Sequence, residues 1–132
     1  MRESLFRGKR VDNGEWVYGY LISYVLGATP IIVRNVYMED NCSLEFDYEH
    51  VDHETVGEFT GLLDKNGKKI FEGDVLRFHN RSNYPVFWDA DFAAFGSCYY
   101  DDFDPLSKYD NRKIKVIGNI HDNPELVKED AE

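Results

Sequence analysis

Thr55-Val56-Gly57-Glu58-Phe59-Thr60-Gly61-Leu62, then Asp64-Lys65-Asn66-Gly67-Lys68, then Ile70-Phe71-Glu72-Gly73-Asp74-Val75-Leu76-Arg77-Phe78: this run decides the fold class. An Asn-Gly pair supplies the positive φ angles of a tight hairpin turn at low steric cost. The flanks are rich in β-branched and aromatic residues, the types that suit a pleated, half-buried surface. The run predicts a strand over 55–61, a turn at 64–68, and two short strands beyond it. Gly73 is placed to kink the chain so that Val75 and its neighbours enter a second sheet.

The same signals recur in both directions. Asn13-Gly14 predicts a two-residue hairpin turn within residues 4–24. In the second arm Trp16, Tyr18 and Tyr20 fall on one face, and Val17, Gly19 and Leu21 on the other. Gly27-Ala28-Thr29-Pro30 breaks the chain, and Ile31 to Tyr37 reads as a strand. Ser43 to Glu49 alternates apolar and acidic residues, which predicts a strand with one acidic face. A helical turn within 39–54 is left open. Tyr84 to Trp88 reads as one strand, with Pro85 at its start or on an edge. Phe92 to Tyr100 is apolar and aromatic. Asp101 to Pro105 reads as a loop, and Arg112 to Ile120 as the last strand. One helix is expected: Asn123 caps it, Pro124 fits its first position, Glu125 suits its positive end, and Leu126 and Val127 dock it. The whole predicts a single, mainly antiparallel β domain. It is barrel-like and partly open, with roughly six to nine strands and a short C-terminal helix.

Composition bounds the function. The chain has 132 residues, the length of one domain with a sizeable core. Its net charge of −10 argues against unaided binding to a nucleic-acid backbone. The charge is uneven: residues 39–64 hold nine acidic residues and no Lys or Arg, and residues 89–110 hold six acidic residues and one basic. Solvated acidic loops are the plain reading of these blocks, and an acidic face for a basic partner or for cations is the sharper one. Two cysteines, Cys42 and Cys98, are too few for a disulfide scaffold or an all-cysteine zinc site. No stretch approaches the ~20 apolar residues of a membrane span. The N-terminus carries no apolar signal core, so a cytoplasmic protein is expected.

Three stretches carry a resemblance. They are Phe6 to Arg10 with Asn13 to Leu21; Thr55 to Leu62 with Asp64 to Val75; and Val116 to Leu126. Their order and spacing resemble the YopX family of bacteriophage and prophage proteins, across nearly the whole chain. The resemblance implies a phage or prophage gene, a bacterial cytoplasm and a homo-oligomer, with a trimer among its stoichiometries. It implies no catalytic residues. It also carries an expectation of helical structure, against which the hairpin signals here stand, and the sequence is read as β.

Few constellations point to chemistry. His50-Val51-Asp52-His53-Glu54 gathers two imidazoles and two carboxylates, but a metal site wants three or four converging ligands with their outer hydrogen bonds. Local loop bonding is the simpler account. Asp64 to Gly67 lacks the acidic run of a calcium loop and reads as a turn. Asp101, Asp102 and Asp104, beside Tyr99, Tyr100 and Phe103, could do acid–base work or hold Mg²⁺, although acids on a Pro-containing loop are more often solvated. Cys98 lies in an apolar run and Cys42 among acids, so neither reads as a reactive thiol. His79 and His121 adjoin strand ends and read as structural. Trp16, Tyr18 and Tyr20 form a stripe whose plain role is core or subunit interface. With Arg7, Lys9 and Arg10 beside it, the stripe could also stack single-stranded bases.

No cofactor, resident metal or catalytic set is therefore expected. The sequence favours a non-catalytic oligomeric accessory module that binds an unidentified host or phage macromolecule. Its candidate interaction surface is Trp16, Tyr18, Tyr20, Asp101, Asp102 and Asp104. The alternative is a nucleic-acid-related protein, either a single-strand binder or an acidic mimic of DNA. A metal-dependent hydrolase built on His50, His53 and the 101–104 acids is the weaker third.

Overall fold

The turn at Asn13-Gly14 forms, but with four residues rather than two between paired positions. The Arg10 N–H donates to the Glu15 carbonyl (2.9 Å), and the Gly14 N–H donates to the Arg10 carbonyl (2.9 Å). Gly14 alone takes positive φ there (+75°), whereas a two-residue type I′ turn needs it at both central positions. The Asn13 side chain instead accepts the Glu15 N–H (2.9 Å). The computed structural model describes residues 4–23, 29–78, 83–99, 102–106 and 111–128, with backbone alone for 98–99, 102–104, 111 and 128. The chain divides into two compact units, Met1–Glu58 and Phe59–Glu132.

The first unit is an antiparallel meander. It comprises β1 (Phe6–Lys9), β2 (Trp16–Ile22), β3 (Ile31–Met38), β4 (Leu44–His50) and the opening residues of β5 (Gly57–Leu63). The order is β4-β3-β2-β1, with β5 beside β1. The inward face buries Val17, Ile32 and Val51, with Phe6, Leu21 and Val56 packed against them. Gly8 lets Val51 approach, since a Cβ there would lie 2.9 Å from the Val51 Cβ. The helical turn left open by the sequence is His53–Thr55, capped by the Asp52 carboxylate on the Glu54 N–H (3.0 Å). Thr55 Oγ1 accepts the Lys9 N–H (2.8 Å) and so ties this turn to β1.

The second unit contains the rest of β5, β6 (Lys69–Phe71), β7 (Asp74–Phe78), β8 (Asn83–Pro85), β9 (Phe87–Asp89), β10 (Ala94–Tyr99), β11 (Asp102–Pro105), β12 (Ile114–Asn119) and α1 (Glu125–Lys128). Two three-stranded sheets run β12-β7-β8 and β11-β10-β9. Its core is Ile70, Leu76, Phe78, Val86, Phe95, Leu106, Ile114 and Val116. Gly73 (φ +94°) makes the expected kink. Its N–H donates to Val86, and its carbonyl accepts from Ile120 (both 2.9 Å).

Asp64 organises the β5–β6 turn. It is buried, and its Oδ1 accepts the N–H groups of Asn66 (2.8 Å) and Lys68 (2.9 Å). Its Oδ2 accepts the N–H of Val116 (3.0 Å). The carboxylate is thus occupied by its own turn and by β12, as a turn reading of Asp64 to Gly67 requires.

Several expectations are corrected. The sheets are antiparallel, but among the described residues none closes into a barrel, which would require first and last strands to pair. Among the described residues the strands number twelve. The expected strand over Tyr84 to Trp88 is two, because Val86 turns aside to donate its N–H to the Asp74 carbonyl (2.8 Å). Ser97 Oγ donates to the Pro85 carbonyl at the same break. The expected loop over Asp101 to Pro105 contains β11, which takes its hydrogen bonds from β10 in the register Asp102↔Tyr99 to Pro105↔Gly96. Pro105 is tolerated because β11 is an edge. The helix begins at Glu125, and the Asn123 side chain accepts the Asn119 N–H (3.3 Å) rather than capping it.

Candidate functional site

Residues paired across neighbouring strands share a face. On the outward face of the first unit the register places Trp16 beside Lys9 and Tyr18 beside Arg7. Tyr20, Val33 and Tyr48 form the next row, followed by Ile22, Ile31 and His50. Beyond a register shift between Val33 and Asn35, the rows continue as Val36 with Phe46 and Met38 with Leu44. Arg7 and Val33 are buried, but eight of the apolar and tyrosine side chains are well exposed. Tyr18, Tyr20, Ile22, Val36, Met38, Leu44, Phe46 and Tyr48 are 45–66% exposed. Single exposed apolar residues are ordinary, whereas contiguous rows of them mark a surface built to be covered.

Trp16 is half-buried. The Arg7 guanidinium lies 4.6 Å and the Lys9 ammonium 5.6 Å from its ring centroid, in cation–π range. Tyr48 meets His50 edge-on at 5.9 Å.

The opposite side of β4 is acidic. Glu49 stands opposite Ile32, Asp47 opposite Asn35 and Glu45 opposite Tyr37. Glu49 is bridged by Arg10 (3.1 Å) and Arg34 (3.3 Å). Asn35 donates to Asp47 at 3.4 Å. Arg10 also grips Asp12 with two bonds, of 2.9 and 2.7 Å. The bond from Arg10 holds the Asp12 carboxyl below the usual range, and the same bond raises the Arg10 pKa. Arg10 is therefore engaged by carboxylates and is not held over the aromatic stripe.

The structure brings Trp16, Tyr18 and Tyr20 to one face, as the alternation predicts, and leaves the two tyrosines outside the core. Asp101 lies outside the described residues. Asp102 and Asp104 belong to β11, where only their backbone is described. His50 and His53 are placed apart in β4 and the turn that follows it, and His50 Nδ1 is 3.1 Å from Thr29 Oγ1. Among the described residues no group of three or more His, Cys, Asp or Glu is arranged to hold a metal ion. His79 lies outside the described residues, as does the Cys98 side chain, and Cys42 is exposed. The sequence reading missed Ile22, Val36, Met38, Leu44, Phe46 and Tyr48 as members of the face. The available signal was the alternation over 43–49, whose apolar side proves more exposed than its acidic one.

A family model described as YopX protein matches residues 5–128. The chain belongs to the YopX family. The match spans described residues of both units, the exposed rows among them. The YopX chain is also similar to the crystal structure of protein EF1440 from Enterococcus faecalis. Identity is 25%, over 97% of this chain and 100% of that one, with a TM-score of 0.68. A comparison with curated proteins finds no match. Among the described residues, no helix of this YopX protein is long and apolar enough to cross a membrane.

Proposed function

We propose that this YopX protein is a non-catalytic accessory module, encoded by a phage or prophage and working in the bacterial cytoplasm. It acts as a homo-oligomer and binds a host or phage macromolecule through the outer face of its first unit. The uncovered rows from Tyr18 to Met38 and Leu44 carry this reading. Covering one half-exposed apolar side chain contributes about 1 kcal/mol, so the eight together contribute on the order of 8 kcal/mol. Association alone costs about 4–15 kcal/mol. A partner that covers one row is therefore too weak, and a productive one spans most of the face.

The test is light scattering on wild type and on Tyr20→Glu with Phe46→Glu. Both sites are exposed, so the circular dichroism spectrum is expected to stay close to wild type. The mass is expected to fall from oligomer to monomer. A wild-type protein that is monomeric at every concentration, with partner binding unaffected by the substitutions, would overturn the reading.

A second reading follows from the cations at Trp16. Aromatic rings beside Arg and Lys favour stacking of single-stranded bases, each worth about 1–3 kcal/mol. Single-stranded DNA added to the same experiment tests it. A mass increase at low salt that disappears at moderate salt would favour nucleic acid. No increase would remove it.

A further inference from the structure

We propose that β4 is a docking edge for an extended strand of a partner protein in which basic and apolar residues alternate. This rests on the first unit being a binding surface and names the chemistry of what binds. β4 ends its sheet, and among the described residues it pairs with β3 alone from Leu44 to Glu49. Among the described residues another segment reaches this edge at its C-terminal end: the Val11 N–H donates to the His50 carbonyl (3.1 Å), Arg10 bridges to Val51, and the Arg10 guanidinium meets Glu49 (3.1 Å), which leaves Leu44 to Tyr48 open. Natural edges are usually blunted by charged side chains, Lys above all, or by Pro, a bulge or short length. The charges on β4 are the acids Glu45, Asp47 and Glu49, which blunt it against an acidic strand and leave it open to a basic one. β4 has seven residues and neither Lys nor Pro, and the register irregularity inserts its extra residue, Arg34, into β3.

An added strand would extend the existing rows. Side chains opposite Leu44, Phe46 and Tyr48 would continue the apolar face. Side chains opposite Glu45, Asp47 and Glu49 would lie on the other side, against carboxylates. Arg34 is the single Lys or Arg in β3 and β4, and together with Arg10 it reaches Glu49, at the opposite end of the row from Glu45. Lys or Arg in the added strand would supply the missing charge. A second copy fits poorly. Antiparallel β4-on-β4 pairing that keeps the apolar faces together sets odd positions against odd ones, so acid meets acid. The same row repels a phosphate backbone.

The test uses the full chain and a fluorescein-labelled nine-residue peptide of alternating Lys and Val, read by fluorescence anisotropy. The expected result is saturable binding. A peptide of the same composition with its lysines in one block is expected to bind at least tenfold more weakly. So is one methylated at alternate backbone nitrogens, because it cannot complete a ladder. Glu45→Lys with Asp47→Lys, both on the surface, is expected to lose at least tenfold in affinity with an unchanged circular dichroism spectrum. Equal binding of alternating, blocked and methylated peptides would reduce the effect to bulk charge and overturn the proposal, as would no binding at all. If no peptide binds but Tyr20→Glu with Phe46→Glu still dissociates the oligomer, the edge proposal fails and the face reading stands. If that variant changes nothing either, both fail.

Discussion

Asp64→Ala is expected to destabilise the second unit by roughly 3–5 kcal/mol. The substitution strands three backbone donors, on Asn66, Lys68 and Val116, that the buried carboxylate satisfies. A buried donor left without an acceptor, as at Val116, costs about 1–3 kcal/mol, and the part-buried amides of Asn66 and Lys68 lie at the low end of that range. Burial pushes the Asp64 pKa up, but the amides of Val116, Lys68 and Asn66 outweigh it and hold it below the ordinary value. A depressed carboxyl stabilises fully above its unfolded pKa, and that stabilisation is lost as pH falls through the folded value. Wild type should therefore weaken below about pH 4. Asp64→Asn, which has no charge to lose, should be less stable at neutral pH and lack that part of the acid dependence. Trp88 lies 5.0 Å edge-on to the core residue Phe95 and reports this unit. Urea unfolding followed by its fluorescence, in a Trp16→Phe background at pH 7 and pH 3, makes the comparison. A neutral Asp64→Ala would mean that the three amides find other acceptors.

Gly19→Ala is expected to cost the first unit about 3 kcal/mol, the upper range for forced overpacking. Gly19 sits in mid-β2 opposite Phe6, and a Cβ there would land on the backbone carbonyl oxygen of Val33. Backbone in a paired strand cannot swing away as a side-chain end could. The contrasting substitution is Gly14→Ala. Nothing lies within 4 Å of its added Cβ, and its only penalty is the positive φ of the turn. That costs about 1 kcal/mol. Urea unfolding followed by Trp16 fluorescence separates the two. If Gly19→Ala costs no more than Gly14→Ala, then β2 and β3 can part to admit a methyl group without penalty.

The sequence was informative where structure is local. Asn66-Gly67, Asn13-Gly14 and Gly73 each mark a turn that forms, and the strands of the first unit fall where β-branched and aromatic residues alternate. It was misleading where a distant partner decides. β11 is a strand because β10 supplies its hydrogen bonds, and nothing within Asp102 to Pro105 announces that. Val86 breaks a continuous apolar run because Gly73 and Asp74 bind its backbone. The aromatic stripe was legible from the two-residue period of β2. Its exposure was not, since alternation identifies two faces without saying which is covered. Phe46 and Tyr48 look like core residues until the sheet is seen to present them outward.

The bond between Asp64 and Val116 also bears on how the chain is made. Its donor lies 52 residues after its acceptor. A ribosome adding about 5–20 residues per second needs roughly 3–10 s to bridge that gap. The first unit joins sequence neighbours from β1 to β4 and can close as it emerges. The second cannot be completed early, because its final strand, β12, pairs with β7 and so covers one side of that buried strand. Until β12 is released, Val75 and Leu76 lie on an open edge, a state suited to capture by chaperones. A chain terminated before residue 114 would remain in that state.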